Sequence, residues 1–168
     1  MAKITIQDLA GKGLLASGIC AVIFFLSFMI EKKFDLNLLK NNKTLQFIIA
    51  AILLFFAGLI YALSLRALSP AKHNRVLVKS GPYRYVRHPR YAAIVFFMYP
   101  AAALIMHSMI ALLSTVLAYL TFKIAIYEEE RNLIKIFGLD YRLYRKKTPV
   151  LIPGFIALKH RLKRKKGK

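Results

Sequence analysis

The stretch Tyr91–Phe122, YAAIVFFMYPAAALIMHSMIALLSTVLAYLTF, contains no Asp, Glu, Lys or Arg. Charged and aromatic sequence closes it at both ends, with GPYRYVRHPRY at 81–91 before it and EEERNLIKIFG at 128–138 after it. As far as Tyr127 the only formal charge is Lys123. The region is about twice as long as the ~20 residues that one helical crossing of a bilayer needs. Folding it at His107-Ser108 gives two helices and returns the two charged segments to one face. The stretch therefore reads as a membrane-crossing hairpin with polar chemistry at one surface.

Working outward, Leu14–Ile30 and Leu45–Leu65 are each long enough for one further crossing, the first being short. A hydrophobic content of 58% in 168 residues, with a mean hydropathy of +0.49, places the chain in the membrane class. The expected fold is an all-α polytopic membrane protein of about four transmembrane helices, one domain over 1–168. Residues 81–155 carry its motifs. Lys3 and Lys12 before the first apolar run imitate a secretory signal, but no small-x-small cleavage pattern closes it, so an uncleaved anchor is expected. The lone Cys20 has no internal disulfide partner.

Orientation follows from the basic residues. Arg66–Arg90 carries seven Lys and Arg, the tail beyond Leu133 is densely basic, and the four between the first two spans are offset by Glu31 and Asp35. Both termini and the 66–90 loop are accordingly expected in the cytoplasm. A formal charge of +20, from 27 basic against 7 acidic residues, raises nucleic acid as a partner. In a polytopic protein anionic membrane lipids account for it more simply, with LKHRLKRKKGK at 158–168 beside the headgroups, and no nucleic acid partner is expected.

Between the second span and the hairpin, LSPAKHNRVLVKSGPYRYVRHP at 68–89 is basic, aromatic and broken by three prolines and a glycine. It reads as irregular chain at the interface, with Pro89 biasing His88 toward extended geometry before a helix begins near Tyr91. Glu128–Phe137 reads as a cytoplasmic continuation of the last span, ended by Gly138 as a C-cap. DYRLYRKKTPVLIPGF at 140–155 then returns to the interface, its prolines arguing against a fifth span.

Arg87-His88-Pro89-x-Tyr91 gathers a cation, an imidazole, a backbone-fixing proline and a phenol just outside a span. Such a group suits an adenosine, a carboxylate or a phosphate; a snorkelling arginine with an aromatic-belt tyrosine is the plainer alternative. Glu128, Glu129 and Glu130 point about 100° apart on a helix, so at most two face one pocket. They suit ribose hydroxyls or a cation, or simply stabilise the helix and pair with Arg131 and Lys135. Lys123 lies about one turn before them and either binds a substrate anion or snorkels. Tyr83, Tyr85, Tyr141 and Tyr144 are candidates to line a pocket. No spacing of His73, His88, His107, His160 and Cys20 suggests a metal site, and no Gly-rich phosphate loop is present.

Together these residues resemble the isoprenylcysteine carboxyl methyltransferase family and its phospholipid methyltransferase relatives. RHPxY stands as Arg87, His88, Pro89 and Tyr91; EExxL as Glu129, Glu130 and Leu133; and the segment after it as Phe137-Gly138, Tyr141, Tyr144, Pro149 and Pro153. The resemblance covers 81–155, the first two spans matching in hydropathy alone. It implies a cytoplasmic, C-terminal segment that binds S-adenosyl-L-methionine without a Rossmann domain. His88, Pro89, Tyr91, Glu129, Glu130, Tyr141 and Tyr144 would form the cofactor site, and Lys123, Glu129 and Arg87 the catalytic set. Where the family has an arginine before the acidic cluster, this chain has Lys123, which lacks the planar fork. Ala93 replaces a glycine found in many relatives. The implied reaction is methyl transfer to a lipophilic acceptor, foremost a prenylated cysteine carboxylate. Phospholipid amine N-methylation, a membrane reductase of the sterol-reductase type and a non-enzymatic lipid-binding protein are the alternatives.

Overall fold

The computed structural model describes residues 6–34, 42–74 and 76–153. The basic tail at 158–168, His160, Asp35 and the central part of the first connection lie outside them. Among the described residues the regular structure is helical, with no strand. Helices α1 (Ile6–Lys33) and α2 (Lys43–Asn74) precede a 3₁₀ turn at Gly81–Arg84. α3 (Pro89–Ala93), a π-helical segment at Ile94–Met98 and α4 (Tyr99–Ile105) form one continuous apolar helix, Pro89–Ile105. After a turn at 106–108 come α5 (Met109–Leu113) and α6 (Thr115–Lys147).

The hairpin turn falls at His107-Ser108, as the sequence reading places it. Among the described residues three helices are long and apolar enough to cross a bilayer, within Leu15–Lys33, Lys43–Ser69 and Met109–Lys147. Pro89–Ile105 is shorter, about 25 Å by helical rise against a hydrocarbon core of about 30 Å. The π segment has a local cause. Pro100 has no N–H to offer Phe96, and the widened turn instead carries the Tyr99 N–H to the Ile94 carbonyl, five residues back.

The packing is that of a bundle in lipid, where apolar residues gain nothing by leaving their surroundings and small residues let backbones approach. Among the described side chains of α2 the buried positions are Gln46, Ala50, Ala57 and Ser64, the last three a seven-residue repeat turned toward α3 and α4. On α1 they are Gly13, Ala16, Cys20, Ser27 and Glu31, with Ala16 and Cys20 packed on Ala118 and Phe122 of α6 and on Val95. The large side chains Phe25, Leu26, Phe55 and Phe56 point outward. At the turn end, Glu31 of α1 is buried and accepts hydrogen bonds from the Ser108 hydroxyl and from the N–H groups of Met109 and Ile110, at 3.2 and 2.9 Å for the latter two. It thereby caps α5. His107, with φ +52, pairs through Nδ1 with Gln46 Oε1 of α2.

Two expectations are corrected. Residues 68–74, read as irregular, continue α2 to Asn74. Gly138 does interrupt the last helix, with φ +54 and ψ −123, but the chain bends there and resumes its helix to Lys147 rather than ending it at Gly138. Only glycine adopts that conformation without strain. The bend turns Tyr141 and Tyr144 back toward the 81–91 loop.

Candidate functional site

The 81–91 loop and the C-terminal segment are fastened to each other at one end of the bundle. The Arg87 N–H donates to the Pro149 carbonyl at 2.8 Å, the His88 N–H to that of Val150 at 3.1 Å, and the Tyr144 hydroxyl to that of Tyr83 at 2.5 Å. Pro89 opens α3 at its first position, where a missing N–H is harmless, and holds His88 outside helical geometry at φ −124, ψ 65. The imidazole then stacks on Tyr91, with centroids 5.7 Å apart and planes 12° from parallel.

The three glutamates divide as their angular spacing requires. Glu129 faces a cavity and accepts a hydrogen bond from the Tyr91 hydroxyl at 2.9 Å, with His88 Nδ1 at 3.8 Å. Glu130, 6% exposed, is enclosed by nitrogen groups: Arg87 Nη1 at 3.1 Å, His88 Nε2 at 3.4 Å and Arg145 Nε at 3.5 Å. Glu128 is partnered with Arg131 near the surface at 3.4 Å. Thus His88 bridges the two inner carboxylates, one offered to the cavity and one committed to Arg87.

The cavity has a volume of about 530 Å³, within the usual range for small-molecule sites. Its polar wall is Arg87, His88, Arg90, Tyr91, Glu129, Tyr141 and Tyr144. Its apolar wall comes partly from the first two helices, through Gly13 and Ser17 of α1 and Tyr61, Leu65 and Leu68 of α2. Gly13 is there for room: a β-carbon at that position would stand 2.2 Å from the Tyr91 hydroxyl oxygen. Tyr141 is 1% exposed, and its hydroxyl has no hydrogen-bond partner among the described residues although it borders the cavity. Burial pushes the Tyr83 phenol up to about 12, so it stays protonated at neutral pH.

Of the residues named from sequence, the structure brings together Arg87, His88, Tyr91, Glu129, Glu130, Tyr141 and Tyr144, with Pro89 buried beneath them and Tyr83 beside them. It does not bring Lys123 to them. Phe122, Ile126, Glu129 and Leu133 follow one stripe of α6, and Lys123 stands one position off it, exposed beside Ile124 and Tyr127. Tyr85 is exposed as well and stays outside the cavity. Sequence reading overlooked the contributions of Gly13, Ser17, Tyr61 and Arg90. The spacing of Gly13 and Ser17, one turn apart on the small-residue face of α1, was the available signal. Among the described residues no group of three or more His, Cys, Asp or Glu is placed to hold a metal ion.

A helical membrane protein with a largely apolar cavity, polar along one wall, at one end of its last hairpin is the class that this fold and site define. The profile of the isoprenylcysteine carboxyl methyltransferase family matches residues 42–135, more than half of the chain, and the protein belongs to that family. The match reaches back through α2, where the motifs had not extended. A protein-S-isoprenylcysteine O-methyltransferase of Schizosaccharomyces pombe is 34% identical over 85 residues, 51% of this chain and 36% of that protein. A methanethiol S-methyltransferase of Crocosphaera subtropica is 40% identical over 79 residues, 46% and 29% of the two chains. The Xenopus laevis protein-S-isoprenylcysteine O-methyltransferase is 32% identical over 86 residues, 51% and 30%. The chain thus spans about a third of the length of the relatives it matches. No solved structure matches it significantly.

Proposed function

We propose that this integral membrane protein transfers a methyl group from S-adenosyl-L-methionine to a lipophilic acceptor, foremost the carboxylate of an isoprenylcysteine-like substrate. The observation that carries the reading is the Tyr91–Glu129 hydrogen bond, which joins the RHPxY and EExxL elements at the wall of one cavity. The residues present fit the donor's chemistry. Glu129 offers a carboxylate for hydroxyls or an ammonium, the tyrosines offer flat faces for a purine, and the buried Tyr141 hydroxyl awaits a polar partner.

When bound, this donor supplies an electrophilic methyl carbon and a neutral thioether leaving group. The protein's part is then orientation and exclusion of water. Tyr91 and His88 fix the Glu129 carboxylate, and the Arg87–Glu130 pair anchors the loop that carries them. Tyr61, Leu65 and Ile94 shield the opposite side. A carboxylate acceptor needs no deprotonation at neutral pH, so no general base is required of the cavity. A lipid amine would require one, and Glu129 is the available candidate. Lys123 has no part in this reading. The site end faces the cytoplasm in the proposed topology, with Pro89–Ile105 as the fourth, shortest crossing.

The likeness to a methanethiol S-methyltransferase favours a second reading, transfer to a small thiol. Purified protein in detergent should be given methyl-labelled S-adenosyl-L-methionine with a prenyl-cysteine, methanethiol or phosphatidylethanolamine. The proposal expects a base-labile methyl ester on the prenyl-cysteine. Label in methanethiol or in the phospholipid alone would replace the acceptor, and label in none of the three would contradict methyl transfer to these classes.

A further inference from the structure

Two arginines border the cavity, and they stand in opposite situations. The guanidinium of Arg87 is buried and spoken for by Glu130 at 3.1 Å. Arg90, one turn further on in α3, has no carboxylate within ion-pair distance among the described residues. Its guanidinium carbon lies 5.4 Å from the centroid of the Tyr61 ring of α2, a cation–π contact. Its Nε is buried without a hydrogen-bond partner among the described residues. Tyr83 sits within the electrostatic reach of both Arg90 and Glu129, which act on its phenol in opposite directions. Among the described residues the cavity therefore has a cation without a carboxylate partner on α3, beside α2, and the Tyr91-bonded carboxylate of Glu129 on α6.

A partly desolvated guanidinium held over an aromatic ring keeps N–H groups for a ligand, and its planar fork matches the two oxygens of a carboxylate. We propose that Arg90, braced by Tyr61, is the carboxylate-binding residue of the cavity. The assignment rests on the methyl-transfer reading and supplies the cation that sequence had sought in Lys123. The carboxylate has two possible sources, the amino-acid end of the methyl donor or the acceptor. Arg90 would position either one and takes no part in bond making.

Titration calorimetry on the detergent-purified full chain separates them, using S-adenosylhomocysteine and its decarboxylated analogue as probes on wild type, Arg90→Gln and Arg90→Lys. If the donor supplies the carboxylate, Arg90→Gln weakens S-adenosylhomocysteine by about 10- to 100-fold and leaves the decarboxylated analogue unchanged. If the acceptor supplies it, S-adenosylhomocysteine binds as in wild type while the KM for a prenyl-cysteine acid rises by a similar factor, with the KM for methanethiol unmoved. In either case Arg90→Lys restores part of the loss, and it carries the test should Arg90→Gln fail to fold. Equal weakening of both probes, or no change in any of these quantities, overturns the assignment and leaves Arg90 a packing residue. Wild type that binds neither probe contradicts the methyl-transfer reading, and the assignment falls with it.

Discussion

The two ends of the last hairpin both bury a glutamate, and they use it differently. At the turn, Glu31 receives the Ser108 hydroxyl and two backbone N–H groups, closing a helix start. At the other end, Glu129 and Glu130 sit among Arg87, His88, Tyr91 and Arg145 beside a cavity. Among the described residues, Arg87, His88, Arg90, Glu130 and Tyr141 there have buried polar atoms without an aligned hydrogen-bond partner; elsewhere only Thr115 Oγ1 is in that state. Buried polar groups are normally satisfied. A closed cluster is structural, and the open one beside the cavity is where the proposed methyl donor would complete the bonding.

That contrast can be broken at either end. The largest effect is expected from Glu130→Ala, which strands the buried Arg87 without its carboxylate and should lower stability by about 3–5 kcal/mol. Chemical denaturation in detergent measures it, and a change below about 1 kcal/mol would mean that the pair is well solvated. Glu31→Ala should lower stability by about 1–3 kcal/mol through the lost cap while leaving S-adenosylhomocysteine affinity at the wild-type value. Loss of affinity there would erase the distinction between the ends.

Gly13→Ala sharpens the comparison from a third helix. The new methyl displaces the Tyr91 hydroxyl from Glu129, and S-adenosylhomocysteine affinity should fall about tenfold, with a smaller change in melting temperature. Unchanged affinity would remove α1 from the site. Lys123→Met should have the smallest effect, with binding and turnover both unaltered, because the side chain stands off the cavity stripe. A loss of turnover confined to carboxylate acceptors would return Lys123 to the mechanism.

How much of this was legible in the sequence depended on whether the signal was local. The hairpin turn at His107-Ser108 could be read from a region too long for one crossing, and the convergence of Arg87, His88 and Tyr91 with Glu129 and Glu130 followed from that turn. Which glutamate faced the cavity could not be read, because a helix allows two of three consecutive side chains near one pocket. The structure decides it through Arg87 and Arg145, which enclose Glu130 from two separate segments. Lys123 was singled out by its depth alone. Its height along α6 is suitable, but its angular position, set by packing of Phe122 and Ile126, turns it away. Tyr61 was invisible, and Gly13 was signalled only by its spacing from Ser17, because their meaning lies in contacts with α3 across the bundle.

The central claim is that the Tyr91–Glu129 wall binds the methyl donor. Titration of S-adenosylhomocysteine into purified wild type and Glu129→Ala tests it most directly, with the melting temperature of each recorded in the same buffer. The account predicts saturable binding to wild type and about 5- to 150-fold weaker binding to a still-folded Glu129→Ala. Equal affinity in both folded proteins would contradict it.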